Sequence, residues 1–141
     1  MKSIYLIGSL RNPAIPPLGN RLRTAGYDVY DSWFAAGKIA DDSWQEYSNI
    51  RGLSLREALQ DYSAQQVFNF DKRHLDRCDG AVLALPAGKS GHIELGYMAK
   101  DKPTWVLFNE VPERYDVMYN FATDVCITED ELLEAIKKQW Q

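Results

Sequence analysis

Cysteine and histidine are scarce: two of each in 141 residues. Cys78 and Cys126 form neither a CxxC pair nor a framework. That excludes a disulfide-stapled scaffold and predicts reduced thiols in a cytoplasmic protein. His74 and His92 stand at no metal-ligand spacing with either cysteine, so no structural zinc is expected. No apolar run approaches the roughly 20 residues needed to span a bilayer. The apolar stretch within "MKSIYLIGSLRNP" is too short for a signal peptide and reads as a first strand. Net positive charge is also missing, since 16 Lys and Arg face 20 Asp and Glu, a formal charge of −4. This argues against broad binding to a nucleic-acid polymer or an anionic membrane, and leaves room for one local anion site. There is no internal repeat, low-complexity tract or linker. One domain, residues 1–141, is expected.

What is present is an ordinary globular mixture, 45% hydrophobic and 26% charged, with enough chain for a real core. "SIYLIG" (3–8) is a β-branched and aromatic run ended by glycine, hence a buried strand. In "NPAIPPLGNRLRTAG", Asn12 can cap a helix, Pro13 suits its first position and Gly26 can end it. "YDVYD" (27–31) alternates like a second strand. Residues 32–52 are rich in Trp, Gly, Asp and Ser without steady periodicity, and read as a long loop or small excursion. Residues 54–78 have helical spacing, as one helix or two. "GAVLALP" (80–86) is apolar throughout, as a central parallel strand should be. A helix over 90–102, a strand over 103–109 and a short strand over 124–128 follow. Thr128 and Glu131 form a capping-box pattern for a last helix running to about Trp140.

Strands alternating with helices predict a doubly wound, flavodoxin- or Rossmann-like α/β domain. Its sheet is five-stranded and mostly parallel, with helices on both faces. Ligands in such sheets bind beyond the carboxyl ends of the strands. "GSLRN" after the first strand and "PAGKSGHIE" after the third fall there.

Each motif has two readings. "GKS" between a strand and a helix suggests a P-loop, but Leu83 stands where that motif needs its first glycine, so the P-loop is rejected. The remaining turn, with Gly88, Ser90 and Gly91, either holds an anion on its backbone N–H groups or simply joins strand to helix. Arg11 either takes a phosphate with two hydrogen bonds or is a surface arginine near a helix start. With Ser90 as N-cap, Glu94 falls one position past the capping-box site and shares a face with Gly91, Tyr97 and Met98. It then either gains from the helix dipole or serves as a nucleophile kept dry by a pocket wall. Asp71, Asp76 and Asp79 either serve a site or mark a solvated helix end, and the second reading is preferred for Asp76. Trp33, Phe34 and Trp44 either stack on a ligand ring or glue a long loop down.

Taken together, "IYLIGSLRN", "FDKRHLDRCDGAVLALP" and "GKSGHIELGYMAKDKP" resemble the nucleoside 2-deoxyribosyltransferase family and the related 2′-deoxynucleoside 5′-monophosphate N-glycosidases. The similarity spans the chain from the first strand to about Phe108. Its most specific pieces are the Glu-Leu-Gly-Tyr run and the pattern of Asp71, Leu75 and Asp79. The resemblance implies that Glu94 attacks the anomeric carbon and that Asp71 positions sugar and base. It implies that Tyr5 and Gly8 form a pocket wall, and that Ser9, Arg11 and Ser90 meet a 5′-phosphate. It also implies a homodimer or higher homo-oligomer with shared sites, to which Asn120 is contributed by a neighbouring subunit. No cofactor or metal is implied. Two departures bear on substrate identity: Gly88 stands where the family often has Asp or Ser, and residues 32–66 are longer and more aromatic. The expected activity is cleavage of the N-glycosidic bond of a 2′-deoxyribonucleoside or its 5′-monophosphate, through a covalent deoxyribosyl-glutamate. The sugar then passes to another base or to water. A NAD-type glycohydrolase and a non-catalytic nucleotide sensor are the alternatives.

Overall fold

Strands form where apolar β-branched and aromatic residues run unbroken. The structure, a computed structural model, describes residues 1–141. Its strands are β1 (Ser3–Ile7), β2 (Asp28–Tyr30), β3 (Gly80–Ala84), β4 (Thr104–Leu107) and β5 (Asp124–Cys126). Its helices are α1 (Ile15–Thr24), α2 (Ala40–Ile50), α3 (Leu55–Gln60), α4 (Tyr62–Arg77), α5 (Lys89–Ala99) and α6 (Glu129–Gln139). Short 3-10 helices cover Ser32–Ala36 and Val117–Phe121. No helix is long and apolar enough to cross a membrane.

The sheet is parallel throughout, in the order β2-β1-β3-β4-β5. Alternation along β1 divides the core. Ile4 and Leu6 face α1 and α6, in a cluster with Leu18, Leu22, Val82, Trp105, Leu132 and Ile136. Tyr5 and Ile7 face α4 and α5, in a cluster with Tyr30, Leu75, Leu83, Leu95 and Met98. Both faces of β1, β3 and β4 are thus covered, which is why those strands read as continuous apolar runs.

The expected doubly wound α/β fold is present, with local differences. The excursion over 32–52 contains the helix α2. Its polar composition hid it, although Asp41 and Asp42 in its first turn suit the helix dipole. α1 starts at Ile15 rather than Pro13, because Asn12 spends its side chain on a tight turn: Ala14 N donates to Asn12 Oδ1 at 3.0 Å. Pro16 and Pro17 then fill the first helical turn, where their missing donors cost nothing. Residues 54–78 form two helices. Ser54 starts α3 with a reciprocal capping box to Glu57, and Asp61 separates α3 from α4. Thr128 Oγ1 caps α6 by accepting from Glu131 N at 3.1 Å, while Glu131 reaches back to Ile127 N at 2.7 Å.

Candidate active site

The first crossover runs through α1 on one face of the sheet and the second through α4 on the other. A crevice therefore opens at the carboxyl ends of β1 and β3, where the winding reverses. Tyr5 of β1 faces this region, 2% exposed, and its hydroxyl donates to Glu94 Oε2 at 2.9 Å. Glu94 comes from α5, which Gly88 rather than Ser90 introduces. That places Glu94 in the second turn, beyond the reach of most of the dipole effect. Helix-start stabilisation thus fails to explain the carboxylate, and its surroundings must be considered instead.

Those surroundings are dry. Burial pushes the Glu94 carboxyl up from 4.5 to about 7; the Tyr5 hydrogen bond pulls it down, and the negative charge of Asp71 adds a further push upward. No lysine or arginine pairs with Glu94 or Asp71. Asp71, on α4, is itself raised by burial. The Tyr5 hydroxyl is driven far above its ordinary value, chiefly by burial and then by Glu94 and Asp71. Two carboxyls and a phenol therefore share one poorly solvated corner that raises the proton affinity of all three, and brings that of Glu94 to about 7.

An aromatic wall backs this corner. The sheet register sets Tyr30 beside Tyr5, with ring centroids 5.1 Å apart. His74 of α4 stacks on Tyr30 at 3.8 Å and 9°. Arg77 Nε donates to His74 Nδ1 at 2.8 Å, which leaves the His74 proton on Nε2. Sequence reasoning did not single out Tyr30 or His74. The alternation of "YDVYD" beside a parallel first strand was the available signal for Tyr30.

The small-turn residues fall as follows. Ser9 Oγ accepts from Arg11 N at 3.1 Å, so the serine shapes the loop after β1. Arg11 is exposed and contacts Asp42 of α2 at 3.4 Å; none of its hydrogen bonds goes to the Gly88–Gly91 turn. Gly8 lies against Ile15, whose Cδ1 would stand 2.4 Å from an added Cβ. Gly91 is buried against Ile7, Leu83 and Ala87, all within 3.3 Å of a Cβ, so it lets α5 close on the sheet. Ser90 is exposed. Gly88 O accepts from His92 Nδ1 at 2.8 Å, and His92 Nε2 lies 2.9 Å from Tyr119 Oη. Since a carbonyl only accepts, His92 Nδ1 is the donor to Gly88.

Other aspartates have structural work. Asp79 Oδ2 accepts from Ser3 N at 2.9 Å and Ser3 Oγ at 3.1 Å, at the opposite end of the strands. Asp76 pairs with Lys72 on an exposed helix face and accepts from Tyr97. Trp33 Nε1 donates to Leu6 O at 2.8 Å, and its ring touches both core clusters. Asn120 is exposed on its 3-10 helix and has no hydrogen bond to Glu94, Asp71 or Tyr5. A cleft of about 470 Å³ lies nearer that helix, lined among others by Pro86, His92, Phe108, Arg114 and Tyr119. No three His, Cys, Asp or Glu side chains gather as a metal site.

Comparison with known proteins places this geometry in context. Among solved structures, the chain is similar to the CMP N-glycosidase BcmB of Clostridium botulinum. The two share 16% identity over 98% of this chain and 99% of that one, with a TM-score of 0.58. At that identity the likeness shows a shared α/β fold over the full length of both. No protein-family model and no curated protein matches the chain.

Proposed function

We propose that this protein cleaves the N-glycosidic bond of a 2′-deoxyribonucleoside or its 5′-monophosphate. The observation that carries the reading is the half-buried Glu94 carboxyl, without a cationic partner and held by the Tyr5 hydroxyl at 2.9 Å at the switch-point edge of the sheet. The motif resemblance supports it, and so does a shared fold with a protein that is itself an N-glycosidase.

The chemistry runs in two balanced steps. Breaking the bond between C1′ and the base nitrogen leaves positive charge on the sugar. Glu94, ionised, stabilises that charge and bonds to C1′ through a carboxylate oxygen. The bonding pair leaves with the base, and Asp71, whose burial favours its protonated form, supplies the proton. Water or a second base then attacks C1′ and gives its proton to the now ionised Asp71; the ester bond to Glu94 breaks, Glu94 is again a carboxylate, and net configuration is retained. A dry corner strengthens the electrostatic part of this stabilisation. Arg11 and Ser9 receive the 5′-phosphate when there is one. A neighbouring subunit contributes Asn120, which makes the working form at least a homodimer.

The test is incubation with a panel of deoxynucleosides, their monophosphates and NAD, with and without a second free base, read by chromatography. Base release by the wild type, and loss of several powers of ten in rate for Glu94→Gln with the fold intact, is the expected result. Near-normal turnover in Glu94→Gln removes the nucleophile assignment. Nicotinamide release from NAD alone points to the glycohydrolase, and ligand-induced stabilisation without release of any base points to a sensor.

A further inference from the structure

α2 is loosely attached for a helix of its length. Ser48 is its only buried residue, while Tyr47 and Ile50, together with Ile39 just before the helix, stand exposed. Gly37 and Gly52 bracket it with φ of 87° and 70°, in the region that favours glycine. No atom lies within 4 Å of a Cβ at either position, so both pivots have room. Two polar atoms four residues apart, Trp44 Nε1 and Ser48 Oγ, are buried with no partner. Unsatisfied groups of this kind make the resting position of α2 one that a modest interaction can displace.

The link from α2 to the ligand edge is the pair between Asp42 and Arg11. It is long, 3.4 Å, and well solvated, with the side chains 75% and 54% exposed. Pairs of this kind hold weakly. A phosphate dianion offers the same guanidinium more charge and two oxygens in matching geometry. Asp42 thus stands where a substrate anion would stand, and it can be outcompeted.

We propose that Asp42 is a specificity-determining residue: it competes with the substrate's 5′-phosphate for Arg11, and α2 pivots at Gly37 and Gly52 when the phosphate takes the arginine. This rests on the phosphate reading of Arg11 given above. Asp42 raises the threshold for singly charged or weak anions, which gain too little from Arg11 to displace a carboxylate. It also repels every anion that does bind, so its removal strengthens phosphate binding.

Binding of 2-deoxyribose 5-phosphate, followed by titration calorimetry, tests this without turnover. Four proteins are compared: wild type, Asp42→Asn, Asp41→Asn and Arg11→Ala. Asp41→Asn removes the same charge from the same helical turn without touching the arginine contact. Asp42→Asn is expected to bind about three- to tenfold more tightly, Asp41→Asn within about twofold of wild type, and Arg11→Ala at least about tenfold more weakly. Amide exchange over residues 38–52 is expected to quicken in Asp42→Asn and in the wild type with sugar phosphate bound. Equal tightening in both Asn variants overturns the inference, because it reports general charge. Unchanged exchange overturns the pivot. Weak binding by Arg11→Ala with unchanged binding by Asp42→Asn overturns the competition and leaves the phosphate reading standing. Wild-type binding by Arg11→Ala, or none by the wild type, removes the phosphate reading and this inference with it.

Discussion

The Tyr5 hydroxyl, fixed on the central residue of a buried strand, donates to Glu94 Oε2 at 2.9 Å across to α5. The bond joins the sheet to the helix at a carboxyl that no lysine or arginine pairs. It favours the ionised form of Glu94, against burial and the charge of Asp71. Hydrogen bonds to charged groups are worth about 1.5–3 kcal/mol.

Tyr5→Phe removes that support with little change in volume. The Glu94 carboxyl, already at about 7, should move about one unit or more upward, since a unit is about 1.4 kcal/mol. The acid limb of kcat/KM against pH then moves the same way. Activity at pH 7 falls about fivefold or more and recovers substantially by pH 9. A drop of equal size at every pH would show that Tyr5 shapes the pocket rather than tuning the carboxyl.

Glu94 also makes stability depend on pH, with a defined sign. Its folded value, about 7, lies above its ordinary 4.5. The folded protein therefore holds the proton more tightly than the unfolded chain does. Stability contributed by the protonated form is complete below about pH 4.5 and is lost as pH rises through about 7. The loss is on the order of 3 kcal/mol once Glu94 is fully ionised. Glu94→Gln mimics the neutral form, so it should be more stable than wild type at pH 8 and equal to it near pH 4. Denaturant midpoints at the two pH values read this directly. A variant less stable than wild type at pH 8 contradicts the buried-charge account.

Much of this was legible in the chain because apolar runs and turn residues agree with the fold. β1, β3 and β4 are buried on both faces, so their runs are continuous. Gly26, at φ of 103°, ends the segment of α1 as its position suggests. α2 was not legible, because its inner face offers only Trp44 and Ser48 to a periodicity search. The N-cap of α5 was misplaced by two residues, because Ser90 is a better cap by type than Gly88, yet the tight approach of Gly91 to the sheet fixes where the helix begins. Of the site, Glu94, Asp71 and Tyr5 lie in one corner of the structure. Their shared desolvation was not legible, since it depends on which helices cover the sheet edge. The partner of Arg11 was hidden for a similar reason: Asp42 is 31 residues away, on the helix that was missed.

The segment around Asn120 yields a prediction about assembly. Val117, Met118 and Phe121 are exposed together on one short 3-10 helix, with Tyr115 just before it. A cluster of this kind on one surface marks a contact region. The protein should run as a homodimer or larger in light scattering at micromolar concentration. Met118→Lys with Phe121→Lys should shift it toward monomer and lower activity. Asn120→Ala should lower activity without changing mass. A fully active monomer rules the shared site out.

Trp33 separates holding a loop from stacking on a ligand. Its indole N–H reaches Leu6 O at 2.8 Å, and its ring packs on both core clusters and against Phe34 at 6.0 Å, edge-on. An indole so engaged is tied to the strand it covers, and its main work is to pin the 3-10 segment over the end of β1. Trp33→Phe keeps an aromatic ring able to stack but loses the donor to a part-buried carbonyl. The expected cost is about 1–2 kcal/mol of stability, seen as a fall of several degrees in Tm. KM should change less than about twofold, because a phenyl ring still offers a stacking face. Trp33→Leu removes the face as well. If the leucine variant has the same Tm as the phenylalanine variant but a KM raised tenfold, the ring stacks on substrate. If the two variants differ in Tm and share KM, Trp33 holds the loop, which is the outcome that its hydrogen bond to Leu6 favours.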